Sequence, residues 1–443
     1  MRQILTFIFS ALFSLYGFTQ VSVGFRVGTG VSELETDNSI NIAGGILVRK
    51  SPGQDGKLRI VAIVLDKKPV KLAIVTCDVL TLTRQQLDPV VAEIEKTTGI
   101  PSANILINCT HTHHAPSTTQ VFGYGPDEVF TKRVQRGIVE AVRKANTSLS
   151  GEDCAFNFYL GKEETVGRNS RWLLPDGQIN WTGPATEFVR ATGPFDPELP
   201  VLSFNDLTGK MLALIFNHST HNIGTLNKGY RSPGFYGLSA QELESVLDCP
   251  VCFLEGASGS THNISLSPSE CIKSIKEAVL EANSHKEVRF VKRLAVIKRP
   301  FRFKVRQFDE AKEDEAVRSY DRSSEDVIRI FREMRNTLAP QRGQERETWL
   351  QVMLIGDVAI VGVPGELFTQ LGLDIKNLSP FRYTYVAELA NDWIGYLPDL
   401  TSHKLGGYQT WTGYQSFAEP GTGERMVDEV VAMLKELARG GPF

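Results

Sequence analysis

The stretch NCTHTHHAP places His111, His113 and His114 within four residues, in a chain that has eight histidines in all. Imidazole offers a neutral nitrogen to a metal and titrates near neutral pH, so such a cluster suits metal binding or proton transfer. The cluster follows a short apolar run, ANILIN. Alternation in an extended segment puts His111 and His113 on one side, facing one cavity. A catalytic zinc takes three or four nitrogen or oxygen ligands and keeps a position open. Further donors stand elsewhere in the chain: His218 and His221 in NHSTH, His262 in GASGSTHN and Glu366 in VPGE. Two or three of the histidines with Glu366 satisfy that requirement. Singly, each has an ordinary structural reading: a polar loop, a hydrogen-bonded core histidine, a carboxylate at a helix start.

The elements that must position these residues are legible from periodicity. KLRIVAIVLD and VKLAIVTCDVL read as two strands joined by KKP. TRQQLDPVVAEIEKTTG carries Leu87, Val90, Val91 and Ile94 at helical spacing and closes on Gly99. ANILIN is the next strand, and a second helical pattern follows Pro126. LPVLSFND and KMLALIFN form another hairpin; GLSAQELESVLD is a helix, PVCFL a strand and SECIKSIKEAVLEANS a helix. WLQVMLIG and VAIVGVPGE make a third hairpin, FTQLGLDIKNL is helical and TYVAELA is a strand. Met426, Val427, Val430 and Leu434 mark a closing amphipathic helix. The segment from Asp309 to Leu338 reads as a charged helical insert, a solvated face or a lid. Strands and helices alternate while hairpins are frequent, so the expected class is α/β: a mixed β-sheet with helices on its faces. The hairpin-then-helix theme recurs without a detectable sequence repeat. THTHH, NHSTH, GASGSTHN, PGE and NDWIGY each follow the last apolar residue of a strand. Ligands bind beyond the carboxyl ends of strands in such sheets, so the five loops are expected to meet there.

Composition narrows the function. The chain has 443 residues, 22% charged and 42% hydrophobic, with a net charge of −3. That is ordinary for a globular protein and gives nucleic acid no basic surface to bind. MRQILTFIFSALFSLYGFTQ has one Arg, an apolar run and a small, polar end, the layout of a signal peptide over residues 1–20; the rest, 21–443, is long enough for two or three domains or one elaborate one. The run is too short for a stable transmembrane anchor, and the expected location is exported, periplasmic or extracellular. Of the six cysteines, Cys249 and Cys252 form a CPVC stretch with no second pair to complete a zinc knuckle; they read as buried thiols or one local disulfide. HExxH, GxSxG and Walker-type loops are all missing from the sequence.

The chain resembles the neutral, non-lysosomal ceramidase family in its catalytic portion. VGTGVSEL, NCTHTHHAP, ALIFNHSTHNIG, FLEGASGSTHN, IVGVPGELFTQLG and ELANDWIGYLPD carry the likeness, in order, from about residue 23 onward. The resemblance implies one Zn2+ held by two His, one Glu and one Tyr, placed at His111, His221, Glu366 and Tyr396. His221 is preferred to His218 because Asn217 sets the register. The resemblance further implies His113 in proton transfer or substrate contact, an early-loop arginine best matched by Arg171 with Arg168 as competitor, and a second tyrosine at Tyr408. Two departures stand out. His262 occupies the place of a family serine, and the family's C-terminal β-sandwich has no counterpart after the site loops.

The function so implied is zinc-dependent hydrolysis of an amide (N-acyl) bond in a small, lipid-like substrate. His113 or His262 would be the acid/base, while Tyr408 and Arg171 would donate to the oxyanion or to a substrate carboxylate. Trp172, Trp181, Trp393, Trp411 and Tyr414 fall in site loops. They point to the alternative of a zinc-dependent carbohydrate hydrolase or lyase with a glycan substrate, unless they simply pack. A third reading is a non-catalytic binding protein that kept the metal site. Oligomeric state is not legible.

Overall fold

The computed structural model describes residues 24–181, 187–320 and 323–441. The expected signal peptide lies outside the described residues. No helix among the described residues is long and apolar enough to cross a membrane.

Three four-strand units, rather than one sheet, make the framework. The first holds β1 (Phe25–Glu33), β2 (Arg59–Lys67), β3 (Val70–Cys77) and, after helix α1 (Arg84–Thr98), β4 (Ile105–Cys109). The β1–β2 and β2–β3 pairs are antiparallel, and β4 runs parallel beside β3. Helix α2 (Glu128–Thr147) follows. The second unit repeats the plan with β5 (Ala155–Lys162), β6 (Glu198–Asn205), β7 (Met211–His218), helix α3 (Gly234–Leu247) and a parallel β8 (Val251–Glu255). Helix α4 (Pro268–Ser284) follows, and the short β9 (Glu287–Arg289) adds an edge to β5. The third comprises β10 (Leu294–Lys304), β11 (Glu345–Ile355), β12 (Val358–Gly362), helix α7 (Thr369–Leu378) and a parallel β13 (Tyr383–Ala387). Between β10 and β11 lie α5 (Glu310–Arg318) and α6 (Glu325–Leu338), and α8 (Thr422–Arg439) ends the described chain.

The predicted hairpins and helices are all present, including α1 with Leu87, Val90, Val91 and Ile94 buried and Gly99 in the left-handed conformation at its end. One correction is the sheet count. The recurring hairpin-then-helix theme is a structural repeat in which each unit forms its own mixed sheet. Inward faces of all three meet in one core containing Ile74, Leu106, Ile215, Leu254, Ile360 and Tyr385. Helices cover the outer faces: α1 and α2 on the first, α3 and α4 on the second, α7 and α8 on the third. Burial on both sides explains why the parallel strands read as unbroken apolar runs. In β4, Ile105, Leu106 and Ile107 are fully buried, each worth roughly 1.5–3 kcal/mol over exposure.

At one end of the common core the three parallel strands are tied in a ring. The Glu255 amide donates to Asn108 Oδ1 at 3.1 Å. The Glu388 amide donates to Glu255 O at 2.9 Å. Asn108 Nδ2 donates to Glu388 O, closing the cycle. Neither glutamate has any solvent exposure.

The α5–α6 insert is more than a solvated face. Its outer side is charged, but Val327, Ile330, Phe331 and Met334 are buried. Phe331 packs against Phe122 and Trp411, at ring distances of 6.5 and 5.5 Å. Arg335, with no exposure, is held by Glu310 at 2.8 Å. The insert therefore covers an aromatic wall that also contains Tyr408. All six cysteines are free and buried, so Cys249 and Cys252 are thiols and not a local disulfide.

Candidate metal centre

Beyond the ends of the parallel strands, the five polar loops converge as expected. The route taken by the first loop differs from the expected alternation. β4 ends at Cys109, and His111 has φ 55°, a left-handed conformation that strains a side-chain-bearing residue by roughly 1–3 kcal/mol. That turn, not an extended register, brings the His111 and His113 rings within 4.8 Å of each other. Close backbone approach is also needed. Gly44 has φ 90°, and a Cβ there would stand 2.4 Å from His113 Nδ1. At Gly259 a Cβ would meet the Glu366 carbonyl oxygen at 2.3 Å, so only glycine lets the 256–262 loop lie against Glu366.

The donor atoms lie at metal-binding separations. His111 Nε2 and His221 Nε2 are 3.5 and 3.4 Å from Glu366 Oε2. His221 Nε2 is 3.1 Å from Tyr396 Oη, and His111 Nε2 is 3.3 Å from His113 Nε2. Bonds of 2.0–2.1 Å to a tetrahedral zinc separate neighbouring ligand atoms by about 3.3–3.4 Å. The Nε2 atoms also carry the required lone pairs. His111, His113 and His221 place Nδ1 at 3.2, 3.0 and 2.8 Å from the carbonyl oxygens of Leu80, Gly44 and Ser258. A carbonyl only accepts, so each Nδ1 carries the proton and each Nε2 is left as a base. His111, His113 and His221 together form a group able to hold a metal.

Glu366 and Tyr396 come together through a short parallel pairing of Glu366–Leu367 with Tyr396–Leu397. Burial alone would raise the Glu366 carboxyl, but His111 and His221 facing it hold it well below the usual range. Burial lowers His221, and it lowers His113 well below normal with help from His111 and His221. Burial, reinforced by Glu366 and Tyr408, pushes the Tyr396 phenol well up; a divalent cation beside it acts in the opposite sense. His111, His221, Glu366 and Tyr396 are 1, 0, 3 and 5% exposed, whereas His113 and His262 are half-buried. The mouth of the site therefore lies on the side of these last two.

The remaining expected residues divide. His262 stacks on His221 with ring centres 4.2 Å apart, its Nδ1 2.8 Å from Ser170 Oγ. Tyr408 stands 5.8 Å from the Tyr396 ring and stacks on Trp181 at 4.3 Å. His218 points elsewhere, between Tyr236 and the Glu163 carbonyl. Arg168 is exposed and bonds its own neighbourhood. Arg171 is fully buried, donating to Gln409 Oε1 at 2.7 Å and to the Gly406 carbonyl at 2.5 Å. Those donors hold the turn that carries Tyr408. Trp393 and Trp411 are 6% exposed and packed. Trp393 Nε1 donates to Glu366 Oε1 at 3.0 Å, and its ring lines a cavity of about 590 Å³.

Sequence reasoning missed Trp393 as the partner of Glu366, and it missed the orienting carbonyls, which leave no trace in residue type. It also missed Asp78. This carboxylate accepts from Thr110 Oγ1 at 3.1 Å and from the Arg59 amide at 2.9 Å, steadying the start of the histidine loop. Burial raises it from 3.8 to about 6, against the opposing pull of Arg59. The folded state thus holds this proton more tightly than the unfolded one. Asp78's contribution to stability accordingly falls as pH rises from about 4 to 6, by roughly 3 kcal/mol. Asp78→Asn removes the titration. Relative to wild type, it is expected to gain about 2–3 kcal/mol between pH 4 and 7 in urea unfolding. A difference between the two proteins that does not change with pH would refute this.

Solved structures share the fold, two ceramidases among them. One is neutral ceramidase from Pseudomonas aeruginosa, with TM-score 0.72 and 16% identity over 95% of this chain and 76% of that one. The other is a ceramidase complexed with C2, with TM-score 0.73 and 15% identity over 95% and 76%. No family model matches the chain, and no curated protein matches it in sequence.

Proposed function

We propose that this protein is a zinc-dependent hydrolase of N-acyl (amide) bonds, acting on a lipid-like small molecule. One observation carries the reading. Loops from four separate strand ends bring two imidazoles, a carboxylate and a phenol together, with facing donor atoms 3.1–3.5 Å apart and the imidazole tautomers set by backbone carbonyls. His111, His221, Glu366 and Tyr396 would hold the ion. A zinc ion bound there supplies Lewis-acid polarisation of an acyl carbonyl and of water. The shared fold supports amide chemistry, since the neighbours are named as ceramidases.

The chain's own residues would then act as follows. His113, half-buried at the mouth with Nδ1–H fixed on Gly44 O, presents a basic Nε2 that takes a proton from water and returns it to the leaving amine. Tyr408 donates from its hydroxyl to the oxygen on which charge develops. His262, anchored on Ser170, backs the His221 ring and offers a second proton carrier at the mouth. Arg171 acts through the 402–409 turn, keeping Tyr408 in place. Two of the aromatic residues that suggested a glycan platform are engaged by other rings, Trp181 stacked on Tyr408 and Trp411 edge-on to Tyr320 and Tyr408, which favours the amide reading. The apolar N-terminal stretch supports export.

The test is metal analysis of the purified chain with a screen of N-acyl lipids, short N-acyl amines and oligosaccharides. One zinc per chain with turnover of an N-acyl substrate is expected. Turnover of oligosaccharides alone, or full metal occupancy with no turnover at all, would overturn the assignment.

A further inference from the structure

The ELANDWIGY stretch delivers Tyr396 to the centre, but its first residue serves another end. Glu388 is fully buried just beyond β13. Its Oε1 accepts from Ser258 Oγ at 2.6 Å. Its Oε2 accepts from the Ser258 amide at 3.1 Å and from the Leu367 amide at 2.7 Å. Both partners sit next to metal-site atoms. The Ser258 carbonyl receives Nδ1–H of His221 at 2.8 Å, and Leu367 is joined by its peptide bond to Glu366. The main chain of Glu388 is fastened in turn to the ends of the other two parallel strands, through Asn108 and Glu255.

We propose that Glu388 is a positioning residue for the metal centre: one carboxyl clamps the carbonyl that orients His221 and the peptide that carries Glu366, and so holds their facing atoms 3.4 Å apart. It touches neither donor atom itself and acts through Ser258 and Leu367. The proposal rests on the zinc reading above. Glu255 provides an internal comparison. It is equally buried and belongs to the same ring, and its carboxyl lies close to Ser258, but neither of its oxygens accepts from the Ser258 or the Leu367 amide. A buried acid that only served the fold would behave like Glu255.

The experiment measures zinc affinity of the full chain by competition with a chromophoric chelator, alongside the visible spectrum of the Co2+-substituted protein. Glu388→Gln keeps size but offers one acceptor oxygen where the carboxyl offers two, so an NH2 must face either the Ser258 hydroxyl or the two backbone amides. It is expected to weaken zinc binding 10–100-fold, the usual effect of losing a group that orients ligands, and to alter the Co2+ bands. Glu255→Gln is expected to bind zinc within threefold of wild type. Near-UV circular dichroism establishes which variants fold. If Glu388→Gln does not, Ser258→Ala, which deletes one of the three bonds, decides with an expected three- to tenfold loss. Wild-type affinity in the deciding variant overturns the proposal, as does equal weakening by Glu255→Gln. Absence of zinc binding by the wild type would instead refute the reading of the centre.

Discussion

Glu366→Gln is expected to strip the protein of zinc. Glu366 is the one carboxylate facing both His111 and His221, with Oε2 at 3.5 and 3.4 Å from their Nε2 atoms. Protein sites bind zinc with apparent free energies of about 10–16 kcal/mol, so one of four ligands accounts for roughly 3–4 kcal/mol. That corresponds to a loss of about 10²–10³-fold in affinity. The amide retains an oxygen for the Trp393 indole, so the fold should persist. Metal analysis after dialysis should give below about a tenth of a zinc per chain, with hydrolysis lost in proportion. Full zinc occupancy and unchanged turnover in this variant would mean that the donor set has been misassigned.

His113→Gln should separate binding from chemistry. The His113 ring stands at the mouth, with Nδ1 committed to Gly44 O and Nε2 facing the cluster. Loss of a general acid/base lowers turnover by about 10²–10⁴-fold. Zinc content should stay near wild type, because four other donors remain. The sign of the pH dependence follows from burial, which depresses this imidazole well below its ordinary value. Its basic form therefore persists below pH 6.5, and the acid limb of kcat/KM should fall below that of a free imidazole. The His113→Gln profile should lack that limb. A variant that loses zinc together with activity would instead mark His113 as a ligand, which its place among the three clustered histidines would then explain.

Much of this was legible in the residues because two simple signals ran together. Period-two and period-3.6 patterns delimited the hairpins and helices, and each polar cluster began where an apolar strand stopped. That was enough to gather the five polar loops into one place; the family resemblance then singled out His111, His221, Glu366 and Tyr396 within them. Three things were not legible. The sequence periodicity is the same whether strands form one sheet or three, since each strand records only which faces are buried. The left-handed turn at His111 leaves no mark in composition. The orienting groups of Leu80, Gly44 and Ser258 are main-chain carbonyls, which every residue possesses. Arg171 illustrates a further limit: an arginine in a site loop suggests contact with an anion, yet both of its terminal nitrogens donate to the turn beside it.

The cyclic tie among Asn108, Glu255 and Glu388 bears on when activity can arise during biogenesis. It draws one strand end from each unit, and the donors it underlies run from residue 111 to residue 396. Contacts of such wide sequence separation form late in folding. A nascent or proteolysed chain lacking its third unit would thus present histidines without the carboxylate and phenol, and would hold metal weakly and without selectivity. Metal loading here would mark maturity: an ion would be gripped only once the whole polypeptide had closed upon itself.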